Sequence, residues 1–406
     1  MYPFKPIYEK AIILPDKSKL GHTPLDPMIF LDRSTVYYGA SGTGKSTAIR
    51  EQLKLLENLV SRVVCFTPTN DVNETYTDAI PSCVINKTLS REKIEKIFEE
   101  QEKKAAIYTE INKIEMLKDV FNEMRNITSL VGEYYTVVNK IKVVDAKLDR
   151  FIRTTNARLD LNYGEKLDLI SSTKNEAENS IKEIYRIAIR KNSTMLTVHL
   201  KDEILRAVVQ NIDYNPRLLL IMDDCIDDIV AICSKSKKSK TGDSKPSIMD
   251  TIFSRGRWAY ITIIIAAQDD VKLIGAIRKN TYVSIFTDAE SAQHYMENKT
   301  NAITKQKKVR ANMVIDAVFN SKGEKNFKKL VYYRLGEIGG NMFTYKIAEK
   351  YDKIKVGSPH FWAICDRASK SVKDKREVLR GLIPQNKTNN CGGGGGPARI
   401  SDTPAA

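Results

Sequence analysis

Gly39-Ala40-Ser41-Gly42-Thr43-Gly44-Lys45-Ser46 fits the phosphate-loop pattern G-x-x-x-x-G-K-[ST] at every fixed position. Ahead of it, Ser34-Thr35-Val36-Tyr37-Tyr38 is β-branched and aromatic, which predicts a buried strand. Behind it, Ile49, Leu53 and Leu56 recur at helical spacing from Lys45 onward. A strand, a glycine-rich turn and a helix start is the arrangement that phosphate binding needs. Successive backbone N–H groups and the helix N-terminus then face the β- and γ-phosphates of a nucleotide such as ATP. On this reading Gly39 through Thr47 line the nucleotide, Lys45 supplies a point charge, and Ser46 offers a hydroxyl to Mg²⁺.

Hydrolysis requires more than a phosphate loop, and a second apolar run supplies it. Arg217-Leu218-Leu219-Leu220-Ile221-Met222 reads as a strand ending in Asp223-Asp224. Two adjacent acids after such a run are costly unless a cation stands near them. Asp223 is expected to complete the Mg²⁺ shell opposite Ser46, and Asp224 to polarise the attacking water as general base. Helix capping or exposure at a strand end is the competing reading. A third strand, Tyr260 to Ala267, stops at Gln268, which is placed to sense the γ-phosphate or orient water. Ring ATPases often complete such a site with an arginine from the neighbouring subunit. Arg257 and Arg255, just ahead of the Gln268 strand, and Arg278 in Ile277-Arg278-Lys279-Asn280 are the candidates, against a bland role as surface partners of acids.

At 406 residues the chain can bury a full α/β core plus an insertion. No run of 18 apolar residues occurs, and Met1 to Lys10 lacks a signal-peptide core, so a soluble, non-secreted chain without a membrane span is expected. The formal charge of +15 suits a polyanionic partner, though a lysine-rich proteome would also produce it. Six cysteines without C-x-x-C spacing give neither a zinc pattern nor a disulfide framework. The segment from Ser234 to Pro246 carries Lys235, Lys237, Lys238, Lys240 and Lys245 among Ser and Gly. It suits sequence-independent contact with nucleic-acid phosphates, or alternatively a solubilising loop.

The expected fold class is α/β, with a parallel-dominated sheet. Residues 1–33 form an N-terminal lead-in and 34–89 the first part of an ATPase core. Apolar residues at 3-to-4 spacing among charges make 90–195 a helical insertion, a hairpin or coiled-coil-like unit. Residues 196–350 return to the core, 351–386 form a basic C-terminal extension, and the glycine-rich 387–406 form a disordered tail. Ser82-Cys83-Val84-Ile85 reads as a short strand, and Lys329 to Tyr333 with Phe343 to Lys346 as an antiparallel edge pair.

Together Tyr38 to Ser46, Leu219-Leu220-Ile221-Met222-Asp223-Asp224, Arg255-Gly256-Arg257 ahead of Ile263 to Gln268, and Ile277 to Asn280 resemble the FtsK/HerA superfamily of translocating P-loop ATPases. They are most similar to the genome-packaging ATPases of large DNA viruses of the poxvirus type and of virophage or Polinton-like elements. The match covers roughly residues 30–85 and 215–300. It implies a RecA-like core of the additional-strand type, with the Gln268 strand between those of the P-loop and Asp223. It also implies a homo-oligomeric ring that pulls double-stranded DNA into a capsid, with portal or vertex proteins as partners, in the host cytoplasm (a viral factory) or the virion. A HerA-like or conjugative cellular translocase, or a nucleotide-gated DNA-binding scaffold of the virion, are the alternatives. The chain departs from the pattern in carrying Asp224 where glutamate is commoner, and in the long separation of Lys45 from Asp223.

Overall fold

The computed structural model describes residues 11–69, 75–234, 247–268, 273–301, 303–319, 327–334 and 342–381. Its centre is an eight-stranded sheet in the order β10-β9-β8-β3-β7-β6-β4-β5. The strands are β3 (Ser34–Tyr38), β4 (Arg62–Phe66), β5 (Ile85–Asn86), β6 (Leu218–Asp223), β7 (Ile261–Ala267), β8 (Val283–Phe286), β9 (Lys328–Tyr333) and β10 (Phe343–Ile347). β3 to β8 run parallel, and β9 and β10 add an antiparallel edge pair. A separate small ribbon pairs β1 (Ile12–Ile13) with β2 (Lys19–Leu20). The chain is therefore α/β, and its β7 strand lies between β3 and β6 as expected. Ser82–Val84 departs from expectation: it is a single 3₁₀ turn, and only Ile85–Asn86 pairs, parallel to β4. Pro81 at the cap favours that turn.

Every residue of β3 and β7 is buried, as is β6 up to Met222. Parallel strands covered on both faces read as continuous apolar runs, which is why these three are plain in the sequence. On one face Tyr37, Leu219, Ile221 and Ile264 pack under α1 (Lys45–Leu56) through Ile49, Leu53 and Leu56. On the other, Val36, Leu220, Ile263 and Ile265 meet α2 (Arg91–Ile111), α9 (Ile248–Arg255), α11 (Ala289–Glu297) and α12 (Lys305–Phe319). The lead-in joins the edge at β10, where the Thr23 amide donates to the Tyr345 carbonyl at 2.7 Å.

Helices fill the interval between β5 and β6. After α2 come α3 (Ile114–Glu123), α4 (Val131–Ala157), α5 (Tyr163–Lys191), α6 (Ser193–His199) and α7 (Glu203–Gln210). They share a core of their own that includes Leu117, Phe121, Met124, Ile189, Leu196 and Val209, distinct from both sheet faces. α4 and α5 pair as a helical hairpin whose 27 and 29 residues each reach about 40 Å. Asn162 opens α5 with a capping box closed by Glu165. The remaining helices are α8 (Ile226–Ser234), α10 (Gly275–Asn280) and α13 (Pro359–Gly381). No described helix is long and apolar enough to cross a membrane.

Candidate functional site

Register brings the three expected strand tips together. Tyr38 of β3 pairs with Ala267 of β7, and Asp223 of β6 pairs with Ala266. The Gly39 amide donates to the Ala267 carbonyl at 3.2 Å, so the phosphate loop begins beside exposed Gln268. Gly39, Lys45, Ser46, Asp223, Asp224 and Gln268 thus share the carboxyl edge of three adjacent parallel strands. Open α/β sheets bind ligands at that edge.

The loop is held from outside as well as by its own turns. Gly39 must be glycine: a Cβ there would lie 1.8 Å from Thr287 Oγ1, at φ +155°. The Ala40 amide donates to Asp288 Oδ2 at 2.9 Å, and the Thr43 hydroxyl bonds both the Ala40 carbonyl and Thr287 Oγ1. Gly44 caps α1 in the left-handed region at φ 91°, turning the chain into the helix. Lys45 Nζ donates to the carbonyls of Gly39 and Ala40. Burial pulls its pKa below the usual lysine range, against the attraction of Asp224, Asp223 and Asp288.

Asp223 is the most perturbed acid of the site. Burial pushes its pKa up to about 6, Asp224 adds to that, and the Tyr76 hydroxyl and Lys45 oppose it. The Tyr76 hydroxyl donates to Asp223 Oδ2 at 2.9 Å, and the Thr69 hydroxyl to Asp224 Oδ2 at 3.3 Å. Asp224 itself sits at φ 55°, a left-handed conformation that Asp tolerates better than most residues and that recurs at functional turns. The Ser46 hydroxyl and the Asp223 carboxylate are hard-oxygen donors suited to Mg²⁺. Among the described residues no cluster of three or more His, Cys, Asp or Glu forms a metal cage. A cation held by Ser46 and Asp223 would draw further oxygens from water and from bound phosphates, as Mg²⁺ commonly does.

The arginines are placed differently. Arg255 and Arg257 precede the first residue of β7, at the opposite edge of the sheet from the phosphate loop. The seven residues of β7 separate the two edges by roughly 20 Å. Arg255 pairs with Glu102 at 2.8 Å. Arg257 is exposed and lines a cavity with Asp32, Trp258 and Tyr282. Arg278 is 5% exposed, its guanidinium donating to the Thr300 hydroxyl. Lys235, Lys237, Lys238, Lys240 and Lys245 lie outside the described residues.

Sequence reasoning missed Tyr76, Thr287, Asp288 and Lys329, whose ammonium donates to the Thr43 carbonyl at 2.7 Å. Asp288 carried a local signal, because an Asp just before a helical pattern predicts an N-cap, and it accepts from the Ser291 amide at 2.8 Å. Tyr76 and Lys329 carried none.

No protein-family model matches the chain. The chain is similar to uncharacterized protein B354L of African swine fever virus, 26% identical over 321 residues that cover 76% of this chain and 80% of the viral protein. Among solved structures it is similar to the genome packaging NTPase B204 of Sulfolobus turreted icosahedral virus 2 in complex with ATP-gammaS. That likeness has 10% identity and a TM-score of 0.31, and covers 80% of this chain and 100% of the other. The plasmid coupling protein TrwB in complex with a GTP analogue gives 11% identity and a TM-score of 0.33, covering 85% and 91%. TM-scores this low carry no argument, so the fold assignment rests on the chain's own sheet. With β7 between β3 and β6 and a phosphate loop after β3, the chain has a P-loop α/β fold of the additional-strand type.

Proposed function

We propose that this chain is an ATP-hydrolysing motor that moves double-stranded DNA in the packaging of a viral genome. The observation that carries the reading is the convergence of Lys45, Ser46, Asp223, Asp224 and Gln268 on one edge of three adjacent strands. In this reading the loop amides and Lys45 hold the phosphates. Asp224 accepts a proton from the attacking water, which Gln268 orients. Mg²⁺, held by Ser46 and Asp223, would neutralise charge developing on the phosphates.

Arg257 and Arg255 stand too far from their own loop to act on it, which favours action in trans within a homo-oligomeric ring. Arg278, the third candidate for that role, is buried against Thr300 and would have to leave that packing to reach a neighbouring subunit. A net charge of +15 supports a polyanionic partner. The five-lysine segment from Lys235 to Lys245 is proposed as a sequence-independent DNA contact. Similarity to a protein of African swine fever virus supports the setting, a virus-infected cell or the virion, with capsid portal or vertex proteins proposed as further partners.

The test is ATP turnover by the full chain with and without duplex DNA, alongside its oligomeric mass. Wild type should hydrolyse ATP faster with DNA present, and Lys45→Ala should abolish turnover. Retained DNA-stimulated activity in Lys45→Ala would sink the site. ATP binding without turnover in wild type would favour a nucleotide-gated scaffold. Replacing Lys235, Lys237, Lys238 and Lys240 with Gln should weaken DNA binding and flatten its salt dependence.

A further inference from the structure

Lys329, the second residue of β9, is 4% exposed, and its side chain lies on the sheet face that carries α1. Its ammonium donates to the Thr43 carbonyl at 2.7 Å. A Cβ on Gly44 would sit 3.3 Å from the same nitrogen. The charge therefore lies against the last turn of the phosphate loop, where α1 begins.

This is an expensive place for an ammonium. Its register partner across the edge pair is Lys346, a second buried lysine. Lys346 is neutralised by the Glu51 carboxylate of α1. Lys329 has instead a loop carbonyl, with Asp288 as the favourable charge nearby. Asp288 in turn accepts from the Ala40 amide at the other shoulder of the loop. A buried charge given a carbonyl on a phosphate loop, rather than a carboxylate of its own, favours an anion seated on that loop.

We propose that Lys329 is a positioning residue of the nucleotide site. It holds the Thr43 carbonyl so that the loop amides face the phosphates, and it adds a fixed positive charge behind them. The inference rests on the nucleotide reading above and names a residue that this reading does not use.

The test measures the Kd of Mg·ATPγS for the full chain by calorimetry, with thermal unfolding of each ligand-free variant beside it. Lys329→Met should raise Kd on the order of tenfold, the loss of one charge-assisted hydrogen bond. Its binding should also depend less steeply on salt. Lys329→Gln, which keeps a donor without the charge, should fall between it and wild type. Should Lys329→Met not fold, Lys329→Gln carries the same test, with a rise in Kd of at least about threefold expected. A Kd within about twofold of wild type together with a lowered Tm would mean a purely structural lysine and overturn the inference. Lys45→Ala separates the two levels. If it weakens binding and the Lys329 variants do not, only this inference fails. If wild type and Lys45→Ala bind alike, the nucleotide reading fails and takes the inference with it.

Discussion

The Tyr76 hydroxyl stands 2.9 Å from Asp223 Oδ2 and donates to it, joining residues 147 positions apart at the tip of β6. Burial is what raises Asp223, and the Tyr76 hydrogen bond is the largest influence against it. Tyr76→Phe removes that bond from the ionised form, so the Asp223 pKa should rise beyond about 6. The acid limb of the ATPase pH profile should move to higher pH, and urea unfolding should show a loss of about 1 kcal/mol. An unmoved acid limb would separate Asp223 from the rate.

Asp223 also carries a stability cost that can be read without any turnover. Its folded pKa of about 6 lies above the ordinary aspartate value of 3.8, so folding favours the protonated acid. That contribution is fully present below pH 4 and is lost as pH rises through 6. That displacement corresponds to about 3 kcal/mol. In EDTA, Asp223→Asn should therefore gain Tm over wild type between pH 4.5 and pH 7.5, the difference widening with pH. A difference constant across that range would show that ionised Asp223 is not penalised by burial.

Gly39→Ala should cost more than a turn glycine usually does. The added methyl would meet Thr287 Oγ1 at 1.8 Å and Asp288 Oδ2 at 2.8 Å. We expect a loss of at least about 2 kcal/mol in urea unfolding. Thr287→Ala made in the same chain should recover part of it, a coupling that a double-mutant cycle measures. Strictly additive losses would mean that backbone strain at Gly39, and not this close approach, sets the cost.

What could be read from the sequence here was local. β3, β6 and β7 are unbroken apolar runs bounded by turn residues, and the loop, the acid pair and Gln268 sit at their ends. Placing β7 between β3 and β6 came from resemblance, because no local pattern encodes strand order. Tyr76 and Lys329 were invisible for the same reason. Each reaches the site through tertiary register, Lys329 across 286 positions to Thr43. Lys329 sits in a run that reads as an ordinary edge strand, and its burial follows from the packing of β9 and β10 under α1. Arg278 illustrates the converse: the sequence reading offered it as a trans-acting arginine or a surface partner of acids, and packing against Thr300 buries it.

The pairing of Lys346 with Glu51 allows the sharpest test of how the edge pair is fastened to the phosphate-loop helix. Their side chains are only 4% and 3% exposed, so each charge depends on the other for what water would have supplied. Lys346→Met leaves a carboxylate buried without its cation, and Glu51→Gln leaves an ammonium in the same position. Either change alone should cost about 3–5 kcal/mol in urea unfolding. The double variant Lys346→Met with Glu51→Met removes both charges, and apolar replacements of similar volume often restore stability at such pairs. It should therefore be more stable than either single variant. If the double variant loses the sum of the two single losses, the ion pair contributes no coupling, and the edge pair must be held to α1 by apolar packing and by Lys329 on the Thr43 carbonyl.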